Sequence, residues 1–341
     1  MSYPAATPRS SFENQLEQNL KRFSVAGQGI LLAVSGGRDS MALLSGMIGL
    51  RGVLQIPQIM VAHLDHGLRG DAGRHDAELV RAVCKSLDVP IVIAGCGAGQ
   101  LELASRGSLE EAARIARYEF LQATAQQHGT PLIATAHHAA DQAETVLHNI
   151  LRGTGLRGLR GIPERRRLSD TVELIRPMLT IQDEAISSFV QQHNIVFAAD
   201  ATNHDNKFTR NRIRHELLPL LAKDFNPGVQ DSIVRLAEQT QELLQSLDAV
   251  ADLLLSEAVL ERTPAHCRLD ARKLAQHPEP IVRHALTVLW IQQKWSRKNM
   301  SRDHWHRLAA MLLDPSSSSI DLPGRIHGEI RGNLLLLECR L

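Results

Sequence analysis

Short apolar runs alternate with amphipathic stretches over the first two-thirds of the chain. The runs of strand length are ILLAV (30–34), IMVAH (59–63), IVIA (91–94) and LIATA (132–136). The intervening stretches with helical periodicity lie at 39–49, 74–87 and 108–128. Unbroken apolar strands that alternate with helices are typical of a parallel sheet covered on both faces. The pattern predicts an α/β fold with a doubly wound, mostly parallel sheet, whose ligands bind at the carboxyl ends of the strands.

The pattern changes near Pro219 and the tripeptide NPG at 226–228. One long amphipathic helix is predicted over 230–259, with apolar residues on a single stripe at Ile233, Leu236, Leu243, Leu247, Val250 and Leu254. Further helices follow at 279–294 and 302–313, and the last residues resemble short strands around Gly and Asn turns. We therefore predict one domain over residues 1–220. A smaller, mainly helical domain with a short C-terminal β segment follows over 221–341.

Composition limits the functions that this fold can serve. The 341 residues carry 38 basic and 37 acidic side chains, a net charge of +1, so any nucleic-acid surface must be a local patch. No C-x-x-C pair occurs among Cys84, Cys96, Cys267 and Cys339, which argues against a zinc ribbon, an iron–sulfur site or a thioredoxin-like motif. Scattered cysteines and the lack of a signal-like or membrane-spanning apolar segment predict a soluble cytoplasmic protein with no membrane association.

The first predicted strand continues directly into the turn S-G-G-R-D-S, residues 35–40. Gly36 and Gly37 let the backbone turn sharply and present N–H groups to an anion, and Ser35 and Ser40 add hydroxyl donors. The helix that follows directs the positive end of its dipole to the same place. The spacing is neither that of a Walker A loop nor that of a Rossmann G-x-G-x-x-G. The order of strand, turn and apolar helix favours a phosphate-binding loop over a turn without a ligand.

A second polar segment, HLDHGLRGDAGRHD, follows the strand at 59–63. Its side chains are predicted to lie near the same edge of the sheet. His63, Asp65 and His66 are compatible with a metal hydrolase site and also with a polar loop whose histidines are hydrogen-bonded.

A third segment, ATAHHAADQAETVLHN, becomes helical from Asp141 onward. Asp141 and Glu144 lie three positions apart and so share one face of that helix. Acidic residues in a first turn can simply complement the helix dipole. The competing interpretation is a site for a cation, either Mg²⁺ or an ammonium group.

Arginines are concentrated after this helix. The dense segment contains Arg152, Arg157, Arg160, Arg165, Arg166 and Arg167. A second cluster, in RNRIRH, contains Arg210, Arg212 and Arg214. In a chain with so small a net charge, this density beside a nucleotide site predicts contacts with a phosphate backbone. A solvated basic loop is the alternative.

The turn at 35–40 resembles the PP-loop of the ATP pyrophosphatase superfamily, and ordered blocks over about residues 29–220 resemble the tRNA(Ile)-lysidine synthetase family. The blocks are LLAVSGGRDSMALL, AHLDHGLR, SLEEAARIARYEFL, AHHAADQAETVLHNILRGTGLRGL, IRPML and TNHDNKFTRNRIRHELLPLL. The resemblance implies an adenine nucleotide alpha hydrolase-like fold. It also implies a ligase that joins L-lysine to C2 of the wobble cytidine in the CAU anticodon of tRNA(Ile), which changes codon reading from AUG to AUA. ATP, with Mg²⁺, would form an adenylated tRNA, and AMP and pyrophosphate would be released.

The resemblance also implies roles for individual residues. ATP would be bound by Ser35, Gly36, Gly37, Arg38, Asp39, Ser40, His63 and Arg117. The catalytic residues would be Asp39, His137, Asp141, Glu144 and Arg114, with Arg210 or Arg214, between which the sequence does not choose. Asp141 and Glu144 would hold lysine, Mg²⁺ or both, and Asp39 would help to hold Mg²⁺. The arginines from 152 to 167 would contact tRNA.

Three other functions remain to be weighed against this one. A tRNA thiolase shares the adenylation step but usually needs paired cysteines, which the chain lacks. A GMP-synthetase-like amidating enzyme needs a glutaminase domain or a matching nucleotide pocket, and neither is visible. A non-catalytic RNA-binding protein would have no need of the intact S-G-G-R-D-S turn. The sequence leaves the oligomeric state open, a homodimer included.

Overall fold

Parallel strands and connecting helices build the first part of the molecule. The computed structural model describes residues 9–67, 70–95, 109–198, 209–313 and 319–340. It divides into two compact units, Met1–Glu238 and Gln239–Leu341. The elements of the first unit are α1 (Ser11–Arg22), β1 (Ile30–Ala33), α2 (Arg38–Leu50), β2 (Ile59–Asp65), α3 (Asp71–Ser86), β3 (Ile91–Gly95), α4 (Leu109–Gln127), β4 (Leu132–Ala134), α5 (Ala139–Leu151), α6 (Leu156–Leu159), β5 (Arg165–Arg167), β6 (Glu173–Ile175), α7 (Asp183–Gln192), α8 (Thr209–Arg212), a π-helix (Ile213–Leu217) and α9 (Leu218–Asp224). Helix α10 (Val229–Ala258) begins in the first unit and ends in the second.

The strands of the first unit form one six-stranded sheet in the order β3-β2-β1-β4-β6-β5. All neighbouring strands are parallel except β5 and β6, which are antiparallel. The chain adds β2 and β3 on one side of β1 and then returns to add β4 on the other side. The loops that follow β1 and β4 therefore leave in opposite directions, and a crevice opens between them. The predicted doubly wound, mostly parallel sheet is confirmed.

The central strands are buried on both faces. Ile30 and Leu32 of β1 pack into the core beneath α1 and α2, whereas Leu31 packs into a second core with Leu121 of α4. Successive side chains of a strand point to opposite faces, so each strand must be apolar at every position. This burial explains the apolar runs of β1, β2 and β4, whereas β3, at the edge of the sheet, is only partly buried.

The second unit contains more sheet than the sequence indicated. Its elements after α10 are β7 (Val259–Arg262), β8 (His266–Asp270), α11 (Ala271–Ala275), α12 (Glu279–Gln292), α13 (Arg302–Leu313), β9 (Ser319–Leu322), β10 (Ile326–Arg331) and β11 (Leu334–Cys339). The strands form an antiparallel sheet in the order β7-β8-β11-β10-β9. Strands β7 and β8 were not predicted, because only Cys267 and Leu269 of β8 are buried and the intervening polar residues hide the alternation. Trp290 lies at the centre of this unit's core, with edge-to-face contacts to Trp295 and Trp305.

Helix α10 confirms the long predicted helix but corrects its buried face. Leu236, Leu243 and Val250 of the predicted stripe are 41%, 50% and 44% exposed. The buried line lies to one side of them and includes Ala237 and Leu244, one residue further on, which are almost fully buried. Ile233 and Leu254 of the predicted stripe are buried, so the prediction is right at these two positions and wrong at the three exposed ones, where the small Ala237 packs in place of a leucine. Like every other described helix, α10 lacks the run of apolar sequence needed to cross a membrane.

The packing of α1 on α2 depends on a glycine. A Cβ atom at Gly46 would lie 2.7 Å from Leu16 Cδ2 and 2.8 Å from Phe12 Cε1, two side chains of α1. Gly46→Ala should therefore destabilise the protein by roughly 1–3 kcal/mol, measured by denaturant unfolding followed by far-UV circular dichroism.

Gly49, one turn later on the same helix, is the matched control. Its added Cβ would meet only Glu13 Oε1, at 3.8 Å. Gly49→Ala should leave the packing intact and stabilise the helix by about 0.5–1 kcal/mol. Equal effects of the two substitutions would contradict this account of the α1–α2 contact.

Candidate active site

A cleft of about 740 Å³ opens at the carboxyl ends of β1 and β4. Its lining comes from the turn after β1, the end of β2, helices α2, α4, α5 and α7, and the π-helix. The crevice that the strand order creates is therefore the main cleft of the first unit.

The turn after β1 has the geometry of an anion cradle. Gly36 has φ +93°, a conformation that favours glycine, and Gly37 is the N-cap of α2. Among the described residues no side chain caps α2, so its first N–H groups remain available to a ligand. The hydroxyl of Ser40 accepts from the Ser35 N–H (3.2 Å) and donates to the Gly37 carbonyl (2.8 Å), which fixes the shape of the turn.

Asp39 joins this turn to the loop after β4. Its Oδ2 lies 3.5 Å from Nε2 of His138, and its Oδ1 accepts a 2.8 Å hydrogen bond from Arg38 Nε. Arg38 also donates to both carboxylate oxygens of Asp183 and to Ser187 on α7. The turn at Ser35–Ser40 is thus fixed by charged side chains to the loop after β4 and to α7.

The charges in this network shift the pKa values of its members. Burial alone would raise the pKa of Asp39, but hydrogen bonding to His138 and the charge of Arg38 outweigh it and lower the pKa. Burial would likewise lower the pKa of His138, yet Asp39 and Asp141 together raise it. The network therefore favours a carboxylate at Asp39 that faces the Nε2 side of the His138 ring.

His138 also starts helix α5. Its side chain accepts from the Ala140 N–H (3.4 Å), and Asp141 Oδ2 accepts from the His138 N–H (3.0 Å), which forms a reciprocal capping box. This capping holds Asp141 at the cleft. His137, which also lines the cleft, is bonded to Thr135, and burial lowers its pKa, so its imidazole is neutral at pH 7.

Glu144 lies one turn further along α5, with its side chain only 10% exposed. Its Oε1 is 2.9 Å from Nε of Arg214, which lies in the π-helix. Burial raises the pKa of Glu144 to about 7, with Asp141 adding to the rise and Arg214 opposing it. The π-helix that carries Arg214 interrupts the α-helical segment between α8 and α9, and such π-helical turns are frequent at functional sites.

A second cleft, of about 460 Å³, lies on the other side of this ion pair. Glu144 and Arg214 line it together with two further carboxylates, Glu184 and Asp231. Arg214 is the residue common to the linings of the two clefts. The first unit thus has a cleft with an anion cradle next to a cleft rich in carboxylates.

The predicted site residues divide into those that line the first cleft and those that do not. The residues in its lining are Ser35, Gly37, Arg38, Asp39, Ser40, Arg117, His137, Asp141 and Arg214. His63 is buried behind the turn and is bonded through Nδ1 to the carbonyl of Val34 (2.9 Å). Arg114 and Arg210 are exposed and lie outside the lining.

The predicted RNA-binding arginines lie between the end of α5 and the end of β5, and α5 holds the connecting segment in place. Gln142 donates to the carbonyls of Arg160 (3.0 Å) and Ile162 (3.2 Å) and accepts from the Ile162 N–H (2.7 Å). Asn149 donates to the carbonyl of Gly158 (2.9 Å). The exposed strand β5, with Arg165, Arg166 and Arg167, follows this loop at the edge of the sheet. One helix therefore supports both the cleft and the basic segment.

Comparison with known proteins shows which family the chain matches. A PP-loop domain model matches residues 8–221. A tRNA(Ile)-lysidine synthase of Nostoc is 31% identical over 320 residues, which covers 91% of each chain. The chain belongs to the tRNA(Ile)-lysidine synthase family. A member from Thermotoga maritima is 40% identical over 217 residues, 64% of this chain, and the match spans only about half, 50%, of that relative.

A solved structure shares the fold of this family member. The U34-tRNA thiolase NcsA from Methanococcus maripaludis, which carries a [4Fe-4S] cluster, superposes with a TM-score of 0.57 at 16% identity. The match covers 68% of this chain and 78% of the thiolase. No cysteine lines the described part of the cleft here, and burial raises the pKa of the Cys84 and Cys267 thiols to about 11. Cys96 lies outside the described residues.

The residues that the sequence missed are those whose role depends on tertiary contact. Asp183 lies far along the chain from Arg38, in a helix start that carries no motif. Tyr118 lines the cleft but in the sequence is one residue of an ordinary helix. For His138, the capping pattern with Asp141 was a signal that could have been used.

The possible metal-ligand atoms around Asp39 fit a magnesium ion that is bound mainly by nucleotide phosphates. Asp39, His138 and Asp183 bring possible ligand atoms within 4.8 Å of one another. Mg²⁺ prefers oxygen and commonly takes one or two carboxylates plus substrate phosphates. Arg38 engages both carboxylates, and Asp39 lies in the first turn of α2, directly beside the cradle, so it is the carboxylate that can share the ion with bound phosphates.

The pKa of Glu144 makes stability depend on pH. With its pKa near 7 when folded and 4.5 as the ordinary value, the carboxyl keeps its proton in the folded protein at a pH where the unfolded chain has lost it. The folded state therefore loses stability as pH rises from 4.5 to 7. Glu144→Gln removes this loss, so its free energy of unfolding relative to the unmodified protein should rise by up to about 3 kcal/mol between pH 5 and pH 8.

Denaturant unfolding at the two pH values measures this difference. Glu184→Gln is the control, because Glu184 lines the same second cleft but is exposed. It should show almost no pH-dependent difference. A constant difference between Glu144→Gln and the unmodified protein would mean that Arg214 keeps Glu144 charged throughout, contrary to this prediction.

Proposed function

We propose that the protein is a tRNA(Ile)-lysidine synthetase that joins lysine to C2 of the wobble cytidine in the CAU anticodon. ATP first activates the C2 oxygen as an adenylate, with release of pyrophosphate. The lysine amine then displaces AMP, and the modified anticodon reads AUA in place of AUG. These substrates place the reaction in the cytoplasm. The observation that carries the proposal is the pair of adjoining clefts, one with an anion cradle and one with carboxylates, joined at Glu144 and Arg214.

The first cleft supports the adenylation step. The turn at Ser35–Ser40 offers N–H and hydroxyl donors to pyrophosphate, a leaving group that needs charge stabilisation. Asp39, beside this turn, would hold Mg²⁺, which would offset phosphate charge when bound. Arg117 lies in the lining on the α4 side, and neutral His137 can accept a hydrogen bond from the base without adding charge.

The second cleft supports lysine binding. Its three carboxylates, Glu144, Glu184 and Asp231, match the two ammonium groups of lysine, and Arg214 matches the α-carboxylate. Asp141, which lines the first cleft, adds a fourth carboxylate on the side where the two clefts adjoin. With a pKa near 7, Glu144 can take the proton that the amine must lose before it attacks. Arg214 also lines the first cleft and Arg210 does not, so of the two arginines left open by the sequence we assign the contact with the activated intermediate to Arg214.

The proposal predicts that an uncharged isostere at Asp141 or Glu144 damages the second step more than the first. In single-turnover reactions with labelled ATP, labelled lysine and tRNA(Ile), Asp141→Asn and Glu144→Gln should release pyrophosphate and accumulate adenylated tRNA. Conversion to lysidine should fall by about a hundredfold or more, since both binding and proton transfer are lost. Asp39→Asn, by contrast, should block adenylation itself.

Two results would contradict this assignment. Release of ADP in place of AMP would exclude the adenylation chemistry. Collapse of adenylate formation in the Asp141 and Glu144 variants, with normal lysine capture by preformed adenylate, would mean that these carboxylates serve ATP and Mg²⁺. Thermal unfolding of each variant controls for loss of fold.

A further inference from the structure

Four arginines surround one tyrosine at the side of the first cleft. Tyr118 lines the cleft, and its ring packs against the core beneath α4. The guanidinium carbon of Arg114 lies 5.8 Å from the ring centroid and that of Arg166 lies 5.4 Å from it. Arg176, 4% exposed, donates to the phenol oxygen (3.5 Å) and to the carbonyl of Pro163 (2.6 Å). Arg117 lies next to Tyr118 in the lining of the cleft.

This positive charge has no counter-charge in the described chain. None of the four arginines forms an ion pair with a carboxylate among the described residues, and Nε of Arg176 has no hydrogen-bond partner there. Burial lowers the pKa of Arg176, and the charges of Arg166 and Arg114 act in the same direction. Positive side chains that pack around a rigid ring, with no carboxylate of the protein paired to them, are expected at a site that binds an anion.

The three arginines of strand β5 are not equivalent. Arg165 pairs with Glu173, and Arg167 pairs with Asp170 (3.1 Å) and also donates to the Ser169 carbonyl. Arg166 lies between them and points to the opposite face of the strand, as alternation requires. Its cross-strand neighbour is Leu174, which belongs to the core on the α4 side. Arg166 is therefore the member of the triplet that turns toward Tyr118.

The sheet separates this cluster from the anion cradle. Strand β5 lies three positions from β1 in the strand order. At about 4.8 Å per strand this places its backbone about 14 Å from β1, beyond the reach of one shared phosphate group. An RNA strand that inserts a nucleotide into the cleft must pass over the rim with its charged backbone. A phosphodiester of that strand is the anion that fits the position.

We propose that Arg166 and Arg114, held on the ring of Tyr118, bind a phosphodiester next to the nucleotide that enters the cleft. The inference rests on the proposed function, because it takes tRNA as the substrate. Arg166 and Arg114 supply the charge. Tyr118 is a positioning residue that fixes both guanidinium groups, and Arg176 fixes Tyr118. Arg165 and Arg167, already paired, contribute less to RNA affinity than Arg166 does.

Binding of an unmodified tRNA(Ile) transcript, measured by fluorescence anisotropy over a series of KCl concentrations, tests the proposal. Arg166→Ala should weaken binding about tenfold and reduce the slope of log affinity against log salt by about one. Arg165→Ala and Arg167→Ala should each weaken binding less than about threefold. Arg81→Ala, which removes one exposed charge from α3, is the matched control and should have no effect on affinity. Equal losses for the three β5 variants would overturn the special role of Arg166.

Variants of Tyr118 test positioning separately from charge. Tyr118→Leu keeps every arginine but removes the ring, so affinity should fall several-fold although no charge is lost. Tyr118→Phe keeps the ring and should restore most of the affinity. Loss of affinity in the Phe variant equal to that in the Leu variant would overturn the stacking role.

Two further measurements, the KM values for ATP and tRNA and the formation of adenylated tRNA, test the source of the phosphate and the proposed function. Arg166→Ala should leave the KM for ATP unchanged while raising the KM for tRNA. A higher KM for ATP with unchanged tRNA affinity would place a nucleotide phosphate at the cluster and overturn the proposal. If the unmodified protein bound tRNA, lost that affinity in Arg166→Ala, yet formed no adenylated tRNA, the proposed function would fail while the phosphate site stood.

Discussion

The contact between Asp39 and His138 is the interaction on which the arrangement of the cleft depends. Asp39 follows β1 and His138 follows β4, the two strands whose loops diverge at the centre of the sheet. A buried charge is costly unless it is paired, so each residue restricts the other. The same contact reaches Arg38 and Asp183 on one side and the start of α5 on the other. The turn at Ser35–Ser40 and helix α5, which carries Asp141, are therefore held in one geometry before any substrate binds.

Charge is distributed around this contact in a way that suits two successive steps. Hydrogen-bond donors collect at the turn after β1, carboxylates collect in the second cleft, and the pair of Glu144 and Arg214 lies where the two clefts adjoin. An adenylation step needs donors around a leaving pyrophosphate, and an amine attack needs a base with a pKa near neutrality. Burial supplies the second requirement, since it raises the pKa of Glu144 to about 7. The arginines around Tyr118 extend the positive side of the cleft toward the edge of the sheet.

Much of the fold and part of the site could be predicted from the sequence, for identifiable reasons. Strands β1 and β4 are apolar at every position because they are buried on both faces, and the turn at Ser35–Ser40 is local in sequence. Asp183 could not be predicted, because only tertiary contact brings it to Arg38. Arg166 could not be distinguished from Arg165 and Arg167, because the difference arises from which face of β5 each one occupies and what lies there. In the second unit, β7 and β8 are short and half-exposed, so their alternation is weak.

The most direct measurement of the central claim follows one oxygen atom. If the C2 oxygen of the wobble cytidine attacks ATP and then leaves with AMP, tRNA(Ile) labelled with ¹⁸O at that position should yield AMP that contains the label. Mass spectrometry of the AMP formed in one turnover, with ATP and lysine present, should find one ¹⁸O for each lysidine made. Unlabelled AMP, with the label retained in the RNA or found in pyrophosphate, would contradict the adenylate mechanism and the assignment of the two clefts that rests on it.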